Sequence, residues 1–201
     1  MSSKIDICNL ALTHLGQKAI ADIDDPIETA RKLKAIYDNN RDSLLRISSI
    51  NWNFACVIGS LAEDDVHTVT GWSNIYTYPV SCLKIRKVYS DTGATNPFPE
   101  EYKVVNDVTD NVVLIATNIE SPAYVEYTRT MTDETKFDPL FVQALAYKLA
   151  ADLAIPLGGD PDKEKRFNDK YLATLSEAAR VNGMETYQNP VKKSYIYDAR
   201  S

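Results

Sequence analysis

Two histidines, His14 and His67, and three cysteines, Cys8, Cys56 and Cys82, are the residues beyond the carboxylates best suited to nucleophilic, acid–base or metal chemistry. Neither histidine has a second one three or four residues away, the spacing that would set two ligands on one helical face. His14 falls in an amphipathic segment and reads as a packed or surface residue. Glu63-Asp64-Asp65-Val66-His67 gathers oxygen donors that could collect a divalent cation. It lacks the glycine turn and twelfth-position glutamate of a calcium loop, so a solvated acidic turn is the better reading. Gly158-Gly159 is not followed by lysine and a hydroxyl residue, and no glycine-rich fingerprint follows a strand pattern, so nucleotide binding has no positive support. Among the many carboxylates, spacing singles out no pair for hydrolysis. Three widely spaced cysteines fit reduced, buried side chains better than a disulfide framework. Trp52 and Phe54 could offer bases a stacking platform, but that mode comes with a basic groove, and they read instead as anchors of a helix-to-sheet junction.

The bulk properties narrow the field in the same direction. A chain of 201 residues can close a core without metal or disulfides, and 44% hydrophobic with 25% charged residues is an ordinary globular balance. No cofactor is required on these grounds. No run approaching 20 apolar residues is seen, and Met1 to Lys4 leads straight into an amphipathic pattern without the features of a signal peptide, so cytoplasmic synthesis is expected. A formal charge of -6 argues against a chain that grips nucleic acid along a basic face.

The elements that must position these residues fall into three blocks. Ser3-Lys4-Ile5-Asp6 is a helix start, with serine as cap and an acid in the first turn; Ile5, Cys8, Leu12 and Leu15 share one face and Gly16 stops it. Asp25-Pro26 predicts a second start, followed by a long helix to about Ile47 with Ala30, Leu33, Tyr37, Leu44 and Leu45 on its apolar side. From about Val57 to Arg129, β-branched and aromatic residues broken by turn formers predict strands at Cys82 to Tyr89, Tyr102 to Val105, Val112 to Ala116 and Ala123 to Arg129. A meander or similar antiparallel sheet is the economical arrangement. In the first of these strands Lys84 and Arg86 alternate with Leu83 and Ile85, so the basic face should look at water or a partner. Asp138-Pro139 and Asp160-Pro161 predict two further helices, the first ended by Pro156 and Gly158-Gly159, the second by Gly183. The fold class is therefore α+β: residues 1–56 and 132–183 as a helical bundle, 57–131 as an antiparallel β insertion, and 184–201 as a C-terminal extension.

Two features look suited to protein contact rather than catalysis. Asp91 to Pro99 is a turn-rich loop carrying Phe98 between Pro97 and Pro99, and the extension holds Tyr187, Tyr195 and Tyr197 beside Lys192, Lys193 and Arg200.

The order of several motifs resembles the tail tubular protein A family of podoviruses, the short-tailed bacteriophages. The resemblance rests on Ala11-Leu12-Thr13-His14-Leu15-Gly16, on Ala30-Arg31 leading to Tyr37 and Arg41-Asp42-Ser43-Leu44-Leu45-Arg46, and on Trp52-Asn53-Phe54-Ala55. It continues through Tyr76-Thr77-Tyr78-Pro79-Val80-Ser81-Cys82-Leu83-Lys84-Ile85, Tyr127-Thr128-Arg129 and Phe137-Asp138-Pro139-Leu140-Phe141, and so spans about residues 5 to 180. It implies a non-enzymatic virion protein: a head-to-tail adaptor, assembled in the host cytoplasm, forming a ring of twelve copies between the portal protein and the tail nozzle protein. DNA would pass through the lumen without sequence-specific binding. It further implies that Tyr187, Lys192, Lys193, Tyr195, Tyr197 and Arg200 bind the portal, and that Pro97, Phe98 and Pro99 meet the nozzle or a neighbouring subunit. The competing expectations are a head-completion connector of a long-tailed phage and, from a different class, a hydrolase or DNA-associated accessory factor.

Overall fold

The cap and turn signals fix several helix ends and miss others. In the computed structural model, which describes residues 2–90, 97–107 and 109–185, α1 spans Lys4–Leu15 and opens on a reciprocal box. Ser3 Oγ accepts the Asp6 N–H while the Asp6 carboxylate accepts the Ser3 N–H. Gly16 closes it at φ 73°, a left-handed conformation that costs glycine little. The second helix, α2 (Glu28–Arg46), starts later than Asp25-Pro26 predicts. The Asp25 carboxylate is taken by the N–H groups of Ala21 and Asp22, so it closes the preceding turn and Ile27 precedes the helix without a side-chain cap.

The third helix, α3 (Pro139–Gly158), follows the predicted start: Asp138 Oδ1 accepts the Leu140 N–H at 2.7 Å and the Phe141 N–H at 3.3 Å. It does not end at Pro156. The helix carries that proline inside its last turns, and Gly159 at φ 60° terminates it. The Pro156 carbonyl accepts Lys32 Nζ of α2 at 2.7 Å. This helix is long and apolar enough, by length and composition, to cross a membrane, contrary to the reading of the sequence; half of it is buried within the fold. The fourth helix, α4 (Pro161–Glu185), runs through Gly183 because Asn182 is tied on both sides. Its Nδ2 donates to the Ala178 carbonyl and its Oδ1 accepts the Asn53 N–H.

These helices close one large core. Phe141, Leu145 and Leu149 of α3 meet Leu12 of α1, Leu33 and Leu44 of α2, and Phe167 and Leu175 of α4, all buried. Trp52 completes it at the exit from α2, where its indole N–H donates to the Leu44 carbonyl at 3.0 Å. Its ring meets Phe141 edge-on at 5.0 Å between centroids, and Phe54 and Phe137 join the same aromatic cluster. The junction role expected for Trp52 and Phe54 is thus observed.

The β region forms two three-stranded antiparallel sheets instead of a meander. One contains β1 (Cys56–Ser60), β6 (Ala123–Arg129) and β3 (Cys82–Ser90) in the order β1-β6-β3; the other contains β2 (Asn74–Thr77), β5 (Val112–Thr117) and β4 (Tyr102–Asp107) in the order β2-β5-β4. Only β4 and β5 are consecutive partners, so the chain crosses repeatedly between sheets. Leu61, Tyr76, Val88, Ile115, Ile119, Ala123 and Val125, drawn from both sheets and their connections, share a small second core. The α+β class stands, with four helices and two small antiparallel sheets among the described residues.

The basic face of β3 is the clearest departure from the pattern. Lys84 Nζ donates to the carbonyls of Ile47 and Ile50, and Arg86 donates to the Trp52 carbonyl at 2.6 Å and to Thr128 Oγ1 at 3.0 Å. Only 5% of the Arg86 side chain is exposed. The strand has both faces covered: one by the second sheet, the other, at its helical end, by the chain turning from α2 into β1. Register shifts between Cys82 and Lys84 and between Ile85 and Lys87 accommodate that crowding.

Candidate interaction surfaces

Phe98 is held out by the strands beside it. The Glu100 N–H donates to the Val88 carbonyl at 2.8 Å, and the Glu100 carboxylate accepts the Ser90 N–H at 3.3 Å as well as the Ser90 hydroxyl. These bonds fix the chain just after Pro99 against the end of β3. Phe98 itself is 89% exposed, with Pro97 half-buried and Pro99 exposed. A large apolar side chain flanked by two prolines and bonded down behind has little conformational entropy left to lose on contact. Residues 91–96, the first part of that loop, lie outside the described residues, as do Tyr187, Lys192, Lys193, Tyr195, Tyr197 and Arg200.

A second surface went unread in the sequence. On the face of the β1-β6-β3 sheet turned away from the small core, Tyr89 and Tyr124 stack at 5.9 Å and 17° between planes. Lys87 lies over the Tyr89 ring and pairs with Glu126 at 3.3 Å, and Ile58, opposite Glu126 in register, is 64% exposed. Alternation along β6 places Tyr124, Glu126 and Thr128 on one side. Their neighbours on β1 and β3 follow only from the pairing register, which depends on contacts distant in sequence.

The acidic turn is also not simply solvated. The Asp64 carboxylate accepts the N–H groups of Val66 and His67 and contacts His67 Nδ1 at 2.8 Å. The second ring nitrogen, Nε2, meets Asp110 Oδ2 in the β4–β5 turn at 3.1 Å. The hydrogen bond to Asp64 is the main cause that raises the His67 pKa above the ordinary histidine value; burial opposes it, and the contact with Asp110 adds a smaller rise. Asp64 is lowered, chiefly by the His67 N–H and ring. Beside this turn lies a cavity of about 270 Å³, lined among others by Glu63, Asp65, Trp72 and Asn74.

His14 and the cysteines are packed within the fold to different depths. His14 stacks on Tyr147 at 4.8 Å and faces Phe167, and its pKa is lowered by burial first, then by Lys170 and Arg166. Cys8 is buried in α1 and its thiol is pushed up to about 12, burial being the main cause. Cys56 and Cys82 are half-buried, and all three thiols are free. Among the described residues, no group of three or more histidine, cysteine or carboxylate side chains is arranged to hold a metal ion.

Compared with protein-family models and with curated proteins, the chain matches none. Many of the residues that carry the resemblance to the podoviral adaptors belong to the cores just described: Leu12, Tyr37, Leu44, Trp52, Tyr76 and Phe141 are all buried.

Proposed function

We propose that this chain is a structural subunit of a short-tailed phage virion, a head-to-tail adaptor that forms a ring between portal and tail nozzle. The observation that carries this reading is the ordered series of motifs from Ala11-Leu12-Thr13-His14-Leu15-Gly16 through Trp52-Asn53-Phe54-Ala55 to Phe137-Asp138-Pro139-Leu140-Phe141. In its support, one helical unit and one sheet unit offer two ends for two different partners, and Phe98 is displayed on the sheet unit as a preorganised apolar contact. In this reading the tyrosine- and lysine-bearing segment after α4 engages the portal, and Phe98 engages the nozzle or the next subunit. The acidic balance of -6 per chain favours a lumen that DNA slides through without adhering.

The test is assembly. Purified protein mixed with portal and imaged by electron microscopy is expected to form a collar with the portal's rotational symmetry; a monomer that ignores portal overturns the proposal. The truncation that probes the extension should begin after Glu185, because α4 continues to that residue and its carboxylate accepts Asn53 Nδ2 at 3.3 Å. Loss of residues 186–201 is expected to leave a folded subunit that no longer binds portal. Phe98→Asp is expected to leave the fold and portal binding intact while tail attachment fails.

A further inference from the structure

His67 is placed between two segments that are not otherwise neighbours in sequence. Its side chain is only 13% exposed, and each ring nitrogen lies within hydrogen-bond distance of a different carboxylate. A carboxylate offers only acceptors, and a neutral imidazole has one donor. The neutral ring can therefore serve Asp64 or Asp110 but not both, and the observed geometry is satisfied only by imidazolium. Asp64 belongs to the histidine's own turn, on the connection between β1 and β2. Asp110 belongs to the turn joining β4 and β5, is 58% exposed, and lies 43 residues further along the chain.

We propose that His67 is a protonation-dependent clamp, which as imidazolium ties the β1–β2 connection to the β4–β5 turn and on losing its proton releases that turn. Among the described residues, the charged groups that face the ring are carboxylates. Asp64 and Asp110 are in contact with it, and Asp107, on the β4 side of the same turn, adds a weaker attraction. Glu63 and Asp65 line the adjoining cavity, and the residues of β2 that border it, Asn74 and Ile75, carry no charge.

The two sides of the clamp differ in what they retain after deprotonation. Asp64 keeps the Val66 and His67 N–H groups, so the neutral ring can stay on its own turn by donating from Nδ1. Nε2 is then an acceptor facing the acceptor Asp110, and that contact becomes repulsive. Asp107 continues to accept the Thr109 and Asp110 N–H groups, so the β4–β5 turn keeps its local form while losing its anchor. The link holds below the ordinary histidine range, where the ring is charged and the acids ionised. It is lost as pH rises through the elevated value of the folded state.

The chain supplies its own reference, because His14 is the other of its two histidines and is shifted in the opposite sense. On the full-length protein labelled with ¹⁵N and ¹³C, the His67 ring is expected to titrate above the ordinary histidine midpoint and His14 below it. The heteronuclear NOE values of Thr109, Asp110 and Asn111 are expected to fall through the His67 transition. Asp110→Ala is expected to lower the His67 midpoint, to leave that of His14 in place, and to hold the turn at its mobile values at every pH. A His67 midpoint at or below the ordinary value, or turn NOE values that are flat across its titration, would overturn the clamp. So would an Asp110→Ala protein in which His67 titrates as in the parent. Portal or nozzle binding plays no part in these readouts, so the clamp and the adaptor reading can fail separately.

Discussion

Replacing Arg86 with methionine is the most direct test of how the two units are joined. The guanidinium makes two well-formed bonds, to the Trp52 carbonyl at 2.6 Å and to Thr128 Oγ1 at 3.0 Å, and a long one to Glu126 at 3.5 Å. Methionine keeps the length and most of the apolar stem, so the substitution removes the charge and the donors with little change in volume. A hydrogen bond from a charged donor is worth about 1.5–3 kcal/mol net, and an acceptor left unpaired in the interior costs about 1–3 kcal/mol. Partial rescue is built in: the Trp52 carbonyl still accepts the Ala55 N–H at 3.1 Å, and Glu126 still pairs with Lys87. Relief from desolvating the guanidinium offsets a further part. Counting the two good bonds and discounting for those partners leaves a loss of about 3 kcal/mol. That is a large fraction of the 5–15 kcal/mol typical of a domain, and still leaves a folded protein to measure.

The assay is urea unfolding followed by both tryptophan fluorescence and far-ultraviolet circular dichroism, with Lys103→Met as the comparison. Lys103 is exposed on β4, and its replacement should fall within about 0.5 kcal/mol of the parent. If β3 turned its basic residues to solvent, the two substitutions would cost the same small amount. A loss below about 1 kcal/mol for Arg86→Met would refute the argument that this side chain bonds the sheet to the helical unit. Arg86→Lys adds a second discrimination: one ammonium cannot reproduce the planar fork that reaches both a carbonyl and a hydroxyl, so it should recover only part of the loss.

Other expectations concern the helical unit. Phe141→Ala removes the ring shared by Trp52, Phe54 and Phe137 and should cost about 3–5 kcal/mol in the same unfolding assay. With its thiol pushed up to about 12 and its side chain buried, Cys8 should stay unreactive toward a disulfide reagent at pH 8, so that the native protein shows at most two reactive thiols and the denatured protein three. For His14 the folded pKa lies below the unfolded one, so its contribution to stability is present above the ordinary histidine value and is lost as pH falls through the folded one. His14→Phe keeps the stack on Tyr147 and should flatten that acid limb of the stability profile.

The helix termini were legible because caps act over three or four residues. Ser3, Gly16, Asp138 and Gly159 each sit within a turn of the groups they satisfy. Asp25 shows the limit of that logic: the same side chain serves equally well as a loop acceptor, and here it takes the Ala21 and Asp22 N–H groups instead of capping α2. Pro156 and Gly183 read as stops because propensity is a local preference. Lys32 at the Pro156 carbonyl and Asn53 at the side chain of Asn182 are tertiary partners that support the helices beyond them. The strands were legible where alternation was long, as in β6, and were missed where short, as in the four residues of β2. Antiparallel pairing was legible, and the consecutive pair β4–β5 fits it, but the order β1-β6-β3 was not, since it joins segments separated by most of the β region.

Alternation in β3 separated two faces but could not say which one was covered, and that distinction changes the electrostatics of the whole sheet unit. Residues 57–131 carry ten carboxylates against five lysines and arginines. Of those five, Lys84 and Arg86 spend their donors on backbone carbonyls at the helical junction, and Lys87 pairs with Glu126. Lys84 and Arg86, which alternation alone assigns to water or a partner, are thus consumed inside the subunit. Glu63 and Asp65 of the β1–β2 connection and Asp110 of the β4–β5 turn stay exposed, while Asp64 is largely covered beside His67, the cation between the two segments. A protein surface that meets the β1–β2 connection and the β4–β5 turn should therefore answer their exposed carboxylates with lysine or arginine.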